Sequence, residues 1–135
     1  RELWLLGVIA YWCEGAKQKE NNVSQQVVFA NSDPILLRLF IKWLKVVCKV
    51  AENDIVYSLY IHSNADVKGA LGYWSKIMQV TKERLGKPVF KQHSTETNRR
   101  NVGKKYYGLV RIMARRSTNL NRKIYGWVLG VGRSI

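Results

Sequence analysis

Eleven uncharged residues in succession, Leu3 to Cys13, open this chain and are followed at once by Glu14 and Gly15. A run that apolar and that short predicts a helix from about Glu2 to Cys13, buried on every side, with Gly15 as its stop. Small residues at Gly7 and Ala10 favour close packing against it. The acid is the awkward part. A helix C-terminus exposes unpaired carbonyls and carries partial negative charge, so a carboxylate there is poorly placed for stability. A partner cation, a metal ion among them, explains Glu14 better than the helix does.

The remaining pattern alternates between the two structural periods. Residues 16–22 are polar, with Lys17 and Lys19, and read as a strand facing solvent or ligand. Asn21-Asn22 is a turn signal, and Gln25 to Asn31 completes a hairpin. Ser32-Asp33-Pro34 supplies a capping oxygen followed by proline, which starts a helix over Ile35 to Val50. There Leu36, Leu39, Phe40, Trp43, Leu44 and Val47 fall at helical spacing, with Lys42, Lys45 and Lys49 between them.

Asp54 to His62 reads as a strand with Ile55, Tyr57, Leu59 and Ile61 on one face. A helix over Ala65 to Val80 follows, then a short strand around Lys87 to Gln92 within a basic loop. From Lys105 to Arg115 the alternation is clean. Tyr107, Leu109, Arg111, Met113 and Arg115 share one face, and Val110, Ile112 and Ala114 the other. A last helix runs from Ser117 to Val131, capped by Ser117 or Thr118. The order α-β-β-α-β-α-β-β-α predicts an α+β fold in which one antiparallel sheet packs on helices.

At 135 residues the chain makes one domain with room for a sizeable core. No apolar run approaches the ~20 residues of a membrane span. No signal-peptide pattern is visible, because Arg1 is followed by Glu2 and no small-residue cleavage site follows the apolar run. An intracellular, cytoplasmic location beside the nucleoid is expected. Cys13 and Cys48 lie far apart without a CxxC, and the histidines number two, which argues against zinc. Both cysteines read as core thiols. Tyr11, Trp12, Tyr73, Trp74 and Trp127 read as core aromatics.

Charge selects the partner. The chain has 23 Lys+Arg against 9 Asp+Glu, a formal net charge of +14. Between Lys82 and Lys123 lie 13 basic residues opposed by Glu83 and Glu96 alone. Unneutralised like charge repels, so a polyanion is expected, nucleic acid before a membrane surface. Arginines alternating on a strand match phosphates, or guanine edges in a major groove. Lys17, Lys19, Gln25, Lys87, Arg99, Arg100, Lys104, Lys105, Arg111, Arg115 and Arg116 are the expected contacts. The loop from Ser94 to Lys104 reads as an arm that orders on binding.

The opening motif and the element order together resemble the LAGLIDADG homing-endonuclease family, in particular its single-motif members and related DNA-binding proteins. Gly15 falls on the last motif residue and Glu14 on the catalytic acid. The family's acid is usually aspartate, one methylene shorter. Its small helix-crossing residues stand six and two positions before the final glycine, where this chain has Ile9 and Cys13. The resemblance implies an αββαββα core with a saddle-shaped antiparallel sheet, the Ala65 to Val80 helix being an addition.

That resemblance also implies site-specific cleavage of double-stranded DNA by a homodimer joined through helix 3–13, on a nearly palindromic target. Glu14, with Gly15, would hold Mg²⁺ or another divalent cation. Asn31 would position water or substrate. Lys91 would fill the role of catalytic lysine, with Lys87 and Lys17 as alternatives. Two further readings stay open, a non-catalytic DNA-binding regulator of the same fold and an RNA-binding splicing cofactor. Glu14 could also simply pair with Lys17.

Overall fold

Asp33 begins a helix as its sequence dictates. Its carboxylate accepts the Ile35 and Leu36 amides, with Pro34 in the first turn. The computed structural model describes residues 1–15, 25–91 and 107–135. The predicted strand 16–22, its turn, and the loop from Ser94 to Lys104 lie outside the described residues, as does His93.

Among the described residues the order is α1 (Glu2–Glu14), β1 (Val28–Asn31), α2 (Pro34–Val46), β2 (Ile55–His62), α3 (Val67–Met78), β3 (Val89–Lys91), β4 (Leu109–Ala114) and α4 (Thr118–Arg133). This is an α+β fold. The strands lie in the order β1-β4-β2-β3. β4 is antiparallel to both β1 and β2, as expected, but β3 runs parallel to β2. The sheet is therefore mixed rather than antiparallel. The physical reason is α3, which carries the chain back across the sheet so that β3 enters in the same direction as β2.

Alternation decides which face meets the helices. Ile55, Tyr57, Leu59 and Ile61 of β2, and Val110, Ile112 and Ala114 of β4, are buried, joined by Phe29 of β1. Against them α2 sets Leu37, Phe40, Ile41, Trp43 and Leu44, each worth about 1.5–3 kcal/mol when fully buried. α2 ends at Val46, four residues before the predicted end, and Lys49 takes a left-handed conformation at φ 60° that turns the chain away. α3 begins on Asp66, whose carboxylate accepts the Gly69 amide.

Trp43 ties three helices together. Its indole N–H donates to the Trp4 carbonyl of α1, and its ring packs edge-on against Trp127 of α4. Buried polar groups join the same layers. The Tyr11 hydroxyl donates to Asn121 Oδ1 at 2.8 Å, and Asn121 Nδ2 donates to the Gln25 carbonyl at 3.0 Å. Burial outweighs the Val28 backbone hydrogen bond and pushes the Tyr11 hydroxyl to a pKa of about 12, so it stays a donor. Ser117 occupies the cap position of α4 but makes no capping bond; its hydroxyl accepts the Val27 amide and donates to the Ala114 carbonyl.

The expectation that α1 is buried on every side is corrected. Gly7, Val8 and Tyr11 are buried, whereas Leu5, Leu6, Ile9 and Trp12 are 41%, 51%, 42% and 41% exposed. Helical geometry puts these four on one side, joined by Cys13, which is exposed and not a core thiol. Trp12 likewise leaves the predicted core. Cys48 is only half-buried. Among the described residues no helix is long and apolar enough to cross a membrane.

Candidate acid site and nucleic-acid face

Glu14 is the last residue of α1 and is exposed. Directly after it, Gly15 forms an antiparallel bridge with Phe29 of β1, and its amide donates to the Tyr11 carbonyl. Glycine is required there, since a Cβ at position 15 would overlap the Tyr11 ring. The local sequence thus fixes where the carboxylate emerges, at the junction of helix and sheet.

Most of the other acids have visible structural roles. Asp33 and Asp66 cap helices. Glu52 binds Lys45 at 2.5 Å and Arg84 at 3.4 Å and accepts the Tyr57 hydroxyl; Asp54 holds Arg116 at 3.2 Å. Glu2 sits in the first turn of α1 and Glu83 in that of a short 3₁₀ turn, where a negative charge suits the helix dipole. Glu14 stands at the opposite, unfavourable end, and no ion pair joins it to any described residue. Lys17, its alternative partner, lies outside the described residues.

The predicted companions of Glu14 part ways: Asn31 stands two residues beyond Phe29, the bridge partner of Gly15, whereas Lys91 lies on a different strand. Asn31 ends β1, and its side-chain oxygen accepts the Asp33 amide at 2.8 Å, closing the turn into α2. Lys91 ends β3 opposite His62, at the far edge of the sheet. Gly15 pairs beyond β1, so four strand spacings separate the two, roughly 19 Å across the sheet alone. Lys91 is therefore not beside Glu14. Lys87 is exposed in the bend before β3.

For a divalent cation the available donors are the Glu14 carboxylate and the Gly15 carbonyl. Both are hard oxygens, the type Mg²⁺ takes, and Mg²⁺ commonly keeps waters and binds through one or two carboxylates plus substrate phosphates. The donor set fits such an ion but is sparse in one chain. Among the described residues no group of three or more His, Cys, Asp or Glu comes together.

The second face of the sheet carries Arg111. Register places it between Ala30 of β1 and Ser58 of β2, with Leu109 and Tyr60 one pair along and Met113 beside Val28 and Val56 the other way. Small neighbours on both sides leave the guanidinium room to reach outward. Ser58 and Ala30 were not legible as site residues, because only long-range register brings them to Arg111.

The expected ladder of arginines is shorter than its sequence suggests. β4 ends at Ala114, so Arg115 lies beyond the strand, where its guanidinium donates to the Asn53 carbonyl at 2.6 Å. Arg116, at φ 52°, pairs with Asp54. Both are drawn to the β2 end by ion pairing instead of standing beside Arg111. Gln25 seats β1 on α4 through its carbonyl. Lys19, Arg99, Arg100, Lys104 and Lys105 lie outside the described residues.

Compared with protein-family models, with curated proteins and with solved structures, the chain has no match.

Proposed function

We propose that the chain is a LAGLIDADG-type, site-specific endonuclease of double-stranded DNA that works as a homodimer in the cell interior. One observation carries the reading: an uncovered apolar face of α1 that ends in the carboxylate of Glu14. The family's helix-crossing positions fall on Ile9 and Cys13, and both lie on that uncovered face. Gly7, off those positions, is already packed against Trp43 within the same chain. The bridge between Gly15 and Phe29 supports the strand-after-helix order of the αββαββα frame.

In this reading α1 packs on its copy across a two-fold axis. Helices pack at interaxial distances of 8–10 Å, and the larger residues at Ile9 and Cys13 favour the wider end. The axis brings two Glu14 carboxylates near each other, one serving each strand of DNA. Like charges that close repel, which favours cation binding between or beside them. A bound Mg²⁺ would supply water activation and stabilisation of the leaving oxygen. Glu14 and the Gly15 carbonyl would hold that ion at the junction of α1 and the sheet. Arg111 reads a base edge, while Lys87 and the lysines and arginines of residues 92–106 hold phosphates. A two-fold protein calls for a nearly palindromic target.

The non-catalytic regulator of the same fold remains a second reading, favoured by the position of Lys91 at the far sheet edge. Plasmid and genomic DNA incubated with Mg²⁺ separate the two. The nuclease reading expects cleavage by the natural chain, and binding without cleavage by Glu14→Gln. Tight binding with no nicking by either protein would leave the regulator. Arg111→Ala should relax base preference at one position per half-site, by about 1–3 kcal/mol. Sedimentation showing a strict monomer on and off DNA would remove the paired-acid arrangement.

A further inference from the structure

α2 carries a basic feature that the sheet face does not use. Arg38, Lys42 and Lys45 follow at spacings of four and three residues, which stacks them along one side of the helix. Like charges so placed repel. Lys45 is relieved by Glu52, but Arg38 and Lys42 form no ion pair with any described residue. Beside them a groove runs between α2 and the end of α3; half-exposed Val46 and partly exposed Ile77 form its apolar wall, the nearly buried Ile41 and Met78 lie at its bottom, and no acidic residue lines it. Its volume is about 260 Å³. That lies below the ~300 Å³ at which small-molecule pockets begin.

The geometry points to a docking groove for an acidic amphipathic helix of a partner protein. Its carboxylates pair with Arg38 and Lys42 while one large apolar side chain settles against Val46 and Ile77, above Ile41 and Met78. Charge complementarity selects the sign of the partner, and the apolar floor selects its class. A phosphate backbone is satisfied by cations alone and gains nothing from isoleucine and methionine. An amphipathic helix uses both, and methionine adapts its shape to an incoming side chain. The groove is independent of the proposed nuclease site. α2 packs on the sheet face of Phe29, and Arg111 stands on the other.

Fluorescence anisotropy on the whole chain tests this with a short helical peptide carrying glutamates one turn apart around a single leucine. Expected is saturable binding that shifts the amide resonances of Ile41, Met78 and Gln79. Arg38→Glu with Lys42→Glu, both at exposed positions, should weaken it about tenfold or more. Replacing the peptide's leucine by serine should weaken it too. The proposal is overturned by absent binding, or by binding indifferent to the leucine. It is equally overturned if a duplex or RNA oligonucleotide displaces the peptide and shifts the same amides. Circular dichroism of the variant guards against misreading an unfolded chain.

Discussion

Gly7 of α1 lies flat against the indole of Trp43 in α2, so close that a single added methyl would overlap the ring. The contact seats α1 on the core, and Trp43 in turn holds the Trp4 carbonyl. It also explains why a glycine is tolerated in the middle of an otherwise apolar helix, where it costs about 0.5–1 kcal/mol relative to alanine.

Gly7→Ala should therefore destabilise the fold by about 1–3 kcal/mol, as overpacking does. Gly126→Ala, in α4 where a Cβ meets open space, should do the reverse and add about 0.5–1 kcal/mol. Urea denaturation of the pair reads both signs. A Gly7→Ala chain as stable as the natural one would mean that α1 is seated some other way.

Stability should fall at both ends of the pH scale, for different residues. Burial alone would raise the Glu52 carboxyl, but the hydrogen bonds from Lys45 and Tyr57 and the charges of Lys45 and Arg84 carry it below its ordinary 4.5. Its folded value is the lower one, so its contribution is present above pH 4.5 and is lost as pH falls through the folded value. Burial pushes the Cys48 thiol from 9.0 to about 12, against the pull of Lys123. Its folded value is the higher one, so that contribution is present below pH 9 and is lost as pH rises towards 12. Tyr11 adds to the alkaline loss from pH 10 upward. Denaturation midpoints against pH should show Glu52→Gln flattening the acid limb and Cys48→Ala delaying the alkaline one.

The two thiols should differ in reactivity. Cys13 is exposed, while Cys48 is half-buried with its thiolate disfavoured, so a thiol reagent near neutral pH should modify Cys13 first. If α1 crosses its copy as proposed, mild oxidation should yield a reducible dimer. That band should vanish in Cys13→Ser and persist in Cys48→Ser. Oxidised protein that stays monomeric on a non-reducing gel would count against the helix crossing.

Local chemistry was readable where one residue type repeats at a short period. The burial of Ile55, Tyr57, Leu59 and Ile61, and of Val110, Ile112 and Ala114, follows from alternation alone. The start of α2 follows from Asp33 and Pro34. The exposed side of α1 was not readable, because a helix that is apolar all round carries no periodicity to mark a face. Nor was the direction of β3, since three residues hold no pattern and the return path through α3 decides it. For the candidate site, the exposed acid was legible as an anomaly. The engagement of Arg115 and Arg116 by Asn53 and Asp54 was not, because it joins residues about 62 apart in sequence.

The parallel edge strand β3 has a consequence for what the molecule avoids. Among the described residues it is the last strand of the sheet, Val89–Lys91, entered directly from Pro88 and carrying Lys91. An edge entered from a residue without an amide hydrogen and bearing a charge is a poor template for recruiting another chain's backbone. At that rim the protein is guarded against runaway strand addition and aggregation. Strand addition at β3 is thereby disfavoured, and the homodimer proposed above would close through side-chain contacts of α1, which are satisfied after two copies.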